Sequence, residues 1–150
     1  MEDSSRHYKE PGWFTRNIFN RLVRIFTRVG LSVWGSRVLE VNGRRSGLPR
    51  RTPVNLLHFS GADYLVAARG ETEWVRNVRA DGGRLTLILG RRRTAYTAVE
   101  LPDDAKPDLL RAYLAKWKSE VGMFFEGVGP DSPDAEVAAI APRHPVFRLN

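Results

Sequence analysis

Cysteine is absent from the sequence of 150 residues, which excludes disulfide bonds and thiolate ligands for a metal ion. Histidine is scarce, and the three present, His7, His58 and His144, lack the spacing of a metal site. No apolar run approaches the roughly 20 residues that a membrane-spanning helix needs. The first residues are polar and unlike a secretory leader. We therefore expect a soluble, cytoplasmic protein that holds no metal ion.

The charge of the chain is unbalanced toward arginine. Lysine and arginine number 24 against 17 acidic residues, and 20 of the basic residues are arginine. Guanidinium groups match phosphate and carboxylate oxygens, so the surface should attract nucleic acid, an anionic membrane or a phosphorylated cofactor. With 42% hydrophobic residues the chain can form one compact core. We expect a single domain over residues 13–150.

Two segments precede the predicted strands. Residues 1–12 are polar and end in Pro11-Gly12, which predicts a mobile arm. Residues 13–29 place apolar side chains on one helical face and arginines elsewhere, and Gly30 follows, so an amphipathic helix is predicted. We expect its apolar face to cover the rest of the protein. Docking onto an anionic membrane is the alternative.

Beyond Gly35 the pattern changes to short strands joined by tight turns. Strands are predicted over residues 37–42, 52–59, 64–68, 85–89, 94–101 and 145–149. Helices are predicted over residues 73–80 and 102–118, with shorter pieces at 120–126 and 133–140. Short strands with tight turns favour an antiparallel barrel with flanking helices over a doubly wound parallel sheet. The predicted fold class is therefore α+β.

The most unusual stretch of the sequence, NGRRSGLPRRTP, runs from Asn42 to Pro53. Its two glycines permit backbone conformations that other residues resist, and its four guanidinium groups offer planar forks for anionic oxygens. Ser46 adds a hydroxyl, and the loop amides can complete an anion nest. Asn-Gly is also a strong turn signal, so an ordinary solvated hairpin loop is the alternative. Composition alone does not decide between the two.

A second unusual segment leads from the third predicted strand into a helix. Arg69-Gly70 stands beside the free amide groups of the helix N-terminus, a combination that favours an anionic group. Trp74 and Asn77 lie three residues apart and share a helix face, where they pair an aromatic wall with an amide. The alternative is a core tryptophan beside a surface asparagine.

Together the two segments resemble a known family. Gly-Arg-Arg-Ser-Gly-x-Pro-Arg-x-Thr-Pro, then a small residue, a basic residue and Gly, then Trp-x-x-Asn, is similar to the actinobacterial deazaflavin-dependent nitroreductases over residues 38–97. The resemblance implies an FMN-binding type of split β-barrel. It also implies that the cofactor is the deazaflavin coenzyme F-420, whose tail carries phosphate and a polyglutamate chain, with FMN as the alternative.

The resemblance further implies which residues bind the cofactor. The phosphate and nearby tail would be held by Arg44, Arg45, Ser46 and Arg50. The residues beside the cofactor would be Arg51, Thr52, Pro53, Val54 and Asn55, and those lining its ring would be Val66, Ala67, Ala68 and Arg69. The site would be closed by Trp74 and Asn77, with Glu73, Val75 and Arg76 as neighbours. The resemblance identifies no catalytic proton donor.

By the same resemblance the protein is an oxidoreductase. Reduced deazaflavin delivers a hydride from its ring carbon, while the protein supplies binding, orientation and a proton source. The acceptors in the family are quinones, nitroaromatics and enones. This chain has Trp117, Phe124 and Phe125 where the best-known members place tyrosines, and Ala68 where some carry serine. We expect the three aromatic residues to be core and leave the acceptor open.

Two other functions are open at this point. The first is a non-catalytic split barrel that carries or senses deazaflavin or FMN. The second is a basic nucleic-acid-binding barrel, but the strand pattern offers few of the exposed aromatics that this requires. We expect a small-molecule acceptor as the partner, no nucleic acid, and a monomer or homodimer. His58 is expected to be structural, and the turn at Arg91–Arg93 to be a solvated face.

Overall fold

The computed structural model of the protein describes residues 36–150. The predicted arm and the predicted amphipathic helix lie outside the described residues. Residues 36–150 contain six strands: β1 (Ser36–Asn42), β2 (Pro49–Phe59), β3 (Ala62–Val66), β4 (Arg84–Leu89), β5 (Arg92–Glu100) and β6 (Val146–Leu149). The same described part of the chain contains three α-helices: α1 (Glu73–Ala80), α2 (Pro107–Val121) and α3 (Asp134–Ile140). Single 3₁₀ turns occupy Asp103–Ala105, Gly122–Phe124 and Ala141–Arg143.

The strands close into one antiparallel barrel in the order β1-β2-β3-β6-β5-β4. The last strand of the chain completes the barrel, because β6 pairs with β3 on one side and β5 on the other. The prediction of an α+β antiparallel barrel with flanking helices is confirmed. Helix α1 has the bounds that the sequence predicts.

Several boundaries differ from prediction for identifiable reasons. Strand β2 begins three residues early, since Pro49 and Arg50 continue the pairing with Asn42 and Val41. The third strand ends at Val66 instead of residue 68, because the chain turns there. The helix predicted from residue 102 begins at Pro107, after the separate 3₁₀ turn. The piece predicted at 120–126 is the end of α2 followed by the next 3₁₀ turn.

Two hydrophobic clusters follow from the alternation of side chains along the strands. Alternate residues of β1, β4 and β6 line the interior of the barrel, and α1 packs Val75 and Val78 against them. The interior cluster comprises Leu39, Val41, Leu65, Ala67, Val75, Val78, Leu85, Leu87, Ala98, Phe147 and Leu149. The outer faces of β2 and β3 pack instead against α2 and α3. This places Val66 in one cluster and its neighbour Leu65 in the other.

The aromatic residues of α2 and the following segment form the centre of the outer cluster. Trp117, Tyr113 and Phe125 are almost completely buried there, which confirms that Trp117 and Phe125 are core residues. Phe124 is only partly buried at the edge of this cluster. Within residues 36–150, no helix has both the length and the apolarity to cross a bilayer.

Candidate functional site

The arginine-glycine loop, residues 43–48, is a compact connection between β1 and β2. The Gly43 amide donates to the Leu48 carbonyl over 2.8 Å, and the Gly47 amide donates to the Gly43 carbonyl over 2.8 Å. Gly47 has a φ of 73°. A Cβ on Gly43 would lie only 2.8 Å from Oγ of Ser46. Gly47 is therefore favoured by its dihedral angle, whereas a side chain at Gly43 would have to displace the Ser46 hydroxyl.

Arg44 joins this loop to helix α1. Its backbone amide and its guanidinium both donate to Oδ1 of Asn77, over 3.0 and 2.9 Å, and the guanidinium also reaches Oε1 of Glu73 at 2.8 Å. Asn77 is only 4% exposed, so the idea of a surface asparagine is wrong. The hydrogen bond from Arg44 holds the pKa of Glu73 below its usual value. The contact brings the two unusual segments of the sequence together.

The remaining arginines of the first segment form what we call the cationic edge, Arg45, Arg50 and Arg51. All three are exposed, and Arg45 and Arg50 form no ion pair within residues 36–150. Arg51 donates to Oε2 of Glu40 over 2.9 Å. Ser46 lies in the same loop, and its Oγ accepts from the Leu48 amide at 3.1 Å. The edge presents fixed positive charge beside a hydroxyl and a glycine backbone.

Glu40 is a member of this region that the sequence did not reveal. It lies on β1 with its side chain 13% exposed, and it contacts Arg93 of β5 as well as Arg51. Burial alone would raise the pKa of Glu40, but the hydrogen bonds from the two arginines hold the pKa below its usual value. Arg91, Arg92 and Arg93 are exposed, as expected, but Arg92 and Arg93 belong to β5 instead of the turn, and Arg93 pairs with Glu40.

The second segment forms a tight turn after β3. Directly after β3, the Ala67 amide donates to the Pro145 carbonyl over 2.8 Å, and the Ala68 amide donates to the Val66 carbonyl over 3.0 Å. The Gly70 amide then donates to the Ala67 carbonyl over 3.0 Å, with a φ of 87° at Gly70. The guanidinium of Arg69 lies 5.5 Å from the ring centre of Phe124. The turn thus sets an arginine against a half-buried aromatic ring.

Helix α1 continues from this turn and completes the region. Thr72 is its N-cap, but its side chain makes no capping bond, and within residues 36–150 its buried hydroxyl has no hydrogen-bond partner. Trp74 is half-buried, with its ring centre 5.7 Å from that of Phe147. Val75 lies in the interior cluster. Arg76 is exposed and forms an ion pair with Glu73 at 3.5 Å.

The position of α1 is fixed from its other end by Arg79. The guanidinium holds both carboxylate oxygens of Glu100 on β5, at 2.8 and 2.7 Å, and Glu71 before the helix at 2.9 Å. The hydrogen bonds that Arg79 donates to Glu100 raise the pKa of Arg79. A bidentate contact of this kind is more specific than a single ion pair. It ties the C-terminal end of α1 to β5.

The strand residues 52–55 do not form one surface. Side chains alternate between the two faces of a strand, so Thr52 and Val54 share one face and Pro53 and Asn55 the other. Val54 packs against the interior cluster, whereas Asn55 bonds the buried Tyr113 of the outer cluster. A ligand on either face of β2 could therefore contact the side chains of only one pair, Thr52 and Val54 or Pro53 and Asn55, together with the backbone of the other pair.

His144 is a buried polar residue that sequence reasoning missed. It is 3% exposed, its Nδ1 lies 3.1 Å from the Ala67 carbonyl, and its ring stacks on Phe125 with 4.0 Å between centres. Burial lowers the pKa of His144 to about 4, against the opposing effects of the backbone bonds and of Glu126. The only sequence signal is its place directly before Pro145. His58, in contrast, is 70% exposed and pairs with Asp63 at 2.7 Å.

The two segments lie along one helix and differ in character. The loop contacts α1 at Asn77 and carries the cationic edge, while the turn enters α1 at Thr72 and is apolar apart from Arg69. The buried Thr72 hydroxyl lacks a hydrogen-bond partner within residues 36–150, which costs free energy at the start of α1. Within the described part of the chain no cluster of side chains suits a metal ion. The arrangement combines exposed positive charge at the cationic edge with apolar side chains beside the turn.

A closed antiparallel barrel with these two segments on one helix defines a small cofactor-binding barrel protein. The chain belongs to the F420H2-dependent quinone reductase family, whose model matches residues 14–122. The resemblance found in the sequence is thereby confirmed. The protein is a reductase, an oxidoreductase whose cofactor is coenzyme F-420.

Solved structures support the fold assignment. One protein, described as a domain-swapped dimer, is 18% identical with a TM-score of 0.55, over 91% of this chain and 97% of that chain. The F420-H2 dependent reductase FDR-A is 18% identical with a TM-score of 0.54, over 77% and 93%. General Stress Protein 26 from Bacillus anthracis is 13% identical with a TM-score of 0.51, over 85% and 87%. No curated protein matches the sequence.

The contact between the loop and α1 predicts the behaviour of Asn77 variants. Asn77→Ala leaves the Arg44 amide without its acceptor, so we expect the free energy of unfolding to fall by about 1–3 kcal/mol in denaturant titrations. Asn77→Asp keeps an oxygen for both bonds and should retain most of the stability. Asn42→Ala, at an exposed asparagine of β1, is the matched control and should change little. Equal stability of Asn77→Ala and Asn42→Ala would contradict this role.

Burial of His144 predicts a pH dependence of stability. The pKa of His144 is depressed in the folded state, so between its unfolded value near 6.5 and about 4 only the unfolded state takes up a proton. The free energy of unfolding should therefore fall as the pH falls through this window, by about 3 kcal/mol in total. Lys106 lowers and Glu126 raises this pKa, and both charges stay in place in the variants below.

The measurement is denaturant unfolding at pH values from 7 to 4 for the wild type, His144→Phe and His58→Asn. As the pH falls, the free energy of unfolding of the wild type should decrease relative to that of His144→Phe, because the phenylalanine takes up no proton. His58→Asn, at the exposed histidine, should follow the wild type. A difference that is constant across the window would rule out a buried neutral imidazole.

Proposed function

We propose that the protein transfers a hydride from reduced coenzyme F-420 to a small quinone. The observation that carries this proposal is membership in a family named for quinone reduction. The apolar character of the turn region supports the proposal, because Ala68, Trp74 and Phe124 are suited to a flat, uncharged compound. Enones and nitroaromatics are the competing acceptors, and the experiment below separates them.

In this proposal the cationic edge holds the anionic tail of the coenzyme. Arg45 and Arg50 are exposed and without an ion pair in residues 36–150, so they can pair with phosphate or carboxylate oxygens at little cost. Arg51 is already shared with Glu40, and a ligand there competes with that carboxylate. Arg44 keeps its contacts with Asn77 and contributes mainly the shape of the loop.

The opposite end of the region would hold the ring and the acceptor. Bound reduced coenzyme supplies a hydride from a ring carbon. Addition of a hydride to a quinone leaves negative charge on oxygen, and one proton from solvent or protein completes the hydroquinone. In this proposal the permanent positive charge of Arg69, beside Phe124, would stabilise that oxygen.

Titration of the purified protein with coenzyme F-420 tests the binding part of the proposal. We expect saturable binding at micromolar coenzyme, and a Kd raised about tenfold or more in Arg45→Ala/Arg50→Ala, since two charged contacts are removed. Arg148→Ala, at an exposed arginine of β6, is the matched control and should bind normally. FMN should bind more weakly than coenzyme F-420. Wild-type protein that does not bind the coenzyme, or a double variant that binds equally well, contradicts the proposal.

Steady-state oxidation of reduced coenzyme tests the acceptor. A panel of quinones, enones and nitroaromatics of similar size should give kcat/KM values about tenfold higher for the quinones, because specificity is the ratio of these values. The panel is best run at saturating coenzyme with protein-free controls. Faster turnover of nitroaromatics or enones would reassign the acceptor. Binding without turnover of any of the three classes would overturn the proposed reaction.

A further inference from the structure

The backbone of Ala67 is hydrogen-bonded to residues 144 and 145, which lead into β6. His144 approaches this oxygen through Nδ1 at 3.1 Å, and the next residue, Pro145, accepts the Ala67 amide through its carbonyl at 2.8 Å. Both the amide and the carbonyl of Ala67 are therefore hydrogen-bonded to this segment, and we call these two contacts the clamp. The same carbonyl also accepts from the Gly70 amide, so the clamp is connected to the whole turn of residues 67–70.

The chemistry of the contact determines which nitrogen of His144 carries the proton. A carbonyl oxygen only accepts, so Nδ1 must be the donor. A neutral imidazole with hydrogen on Nδ1 has none on Nε2. A neutral ring suits the site, because the imidazole is stacked on Phe125 and is 3% exposed.

The histidine is itself supported by the helical layer. Its backbone amide donates to the Ala141 carbonyl over 3.2 Å, and the same carbonyl accepts from Nζ of the buried Lys106 over 2.9 Å. Lys106 also pairs with Asp103 at 2.7 Å. A chain of polar contacts thus runs from the start of α2, through the 3₁₀ turn of residues 141–143, to the turn after β3.

We propose that His144 is a positioning residue which, through its Nδ1 hydrogen, fixes the backbone of residues 67–70 in the conformation that receives the coenzyme ring. The proposal rests on the proposed function for the identity of the ligand at this turn. Its geometric part stands on the contacts of Ala67 alone. His144 acts on the reaction through Ala67 and touches no reacting atom.

A purely structural histidine is the competing explanation, and variants separate the two. His144→Phe keeps a flat ring on Phe125 but removes the donor, whereas His144→Asn keeps a donor and removes the ring. Val137→Ala, at a fully buried residue of α3, destabilises the same outer cluster without touching the turn. It shows what loss of stability alone does to binding.

Three readouts on the full chain test the proposal. Nitrogen NMR of the coenzyme-free protein should show the Nδ1–H tautomer for His144. Amide exchange at Gly70, relative to the core amide of Leu114, should be at least about tenfold faster in His144→Phe than in the wild type or Val137→Ala. The Kd for coenzyme F-420, measured well below the melting temperature, should rise about tenfold in His144→Phe, with partial recovery in His144→Asn.

An Nε2–H tautomer, or an unchanged Gly70 exchange ratio in His144→Phe, overturns the clamp. A Kd in His144→Phe equal to that of the wild type overturns the positioning role, as does an equal rise in Val137→Ala. If the wild type itself does not bind coenzyme F-420, the proposed function and the positioning of the ring both fail. The tautomer and the exchange ratio then still show whether His144 holds the turn.

Discussion

Closure of the barrel by β6 is the constraint on which the rest of the structure depends. Strand β6 lies between β3 and β5, although about eighty residues separate it in sequence from β3. Its insertion brings Phe147 and Leu149 into the interior cluster and carries His144 and Pro145 to the end of β3. Without this strand, the barrel would be open and the turn after β3 would have no acceptor for the Ala67 amide.

The candidate site is built mainly from backbone that buried polar side chains hold in place. Asn77 fixes the loop after β1, and His144 fixes the turn after β3, each from the side that faces the protein. A buried polar group is stable only when it is hydrogen-bonded, so each of these residues tolerates few alternative backbone arrangements. In the proposed function, this preorganised backbone is what receives the coenzyme.

The sequence predicted those parts of the fold that depend on local patterns. The bounds of α1 and the succession of strands and helices along the chain follow from periodicity and turn residues within short windows, whereas the order of the strands around the barrel does not. The contact of Arg44 with Asn77 spans 33 residues, and that of His144 with Ala67 spans 77 residues. Contacts between residues so far apart in the sequence depend on the packing of the whole barrel and cannot be predicted from local patterns. Asn77 was therefore assigned a role without its partner, and His144 was missed.

The arginine content is better explained by pairing than by a general attraction for anions. Within residues 36–150, Arg44, Arg51, Arg79 and Arg93 are paired with carboxylates that connect separate elements, and exposed pairs of this kind add only modestly to stability. Their geometric effect is greater. Arg44 joins the loop to α1, Arg79 joins α1 to β5, and Arg51 and Arg93 link Glu40 of β1 to β2 and β5. Arg45 and Arg50 differ in having no such partner in this part of the chain. In the proposed function, these two guanidinium groups, unpaired within residues 36–150, are the physical reason to assign the anionic tail of the coenzyme to the cationic edge.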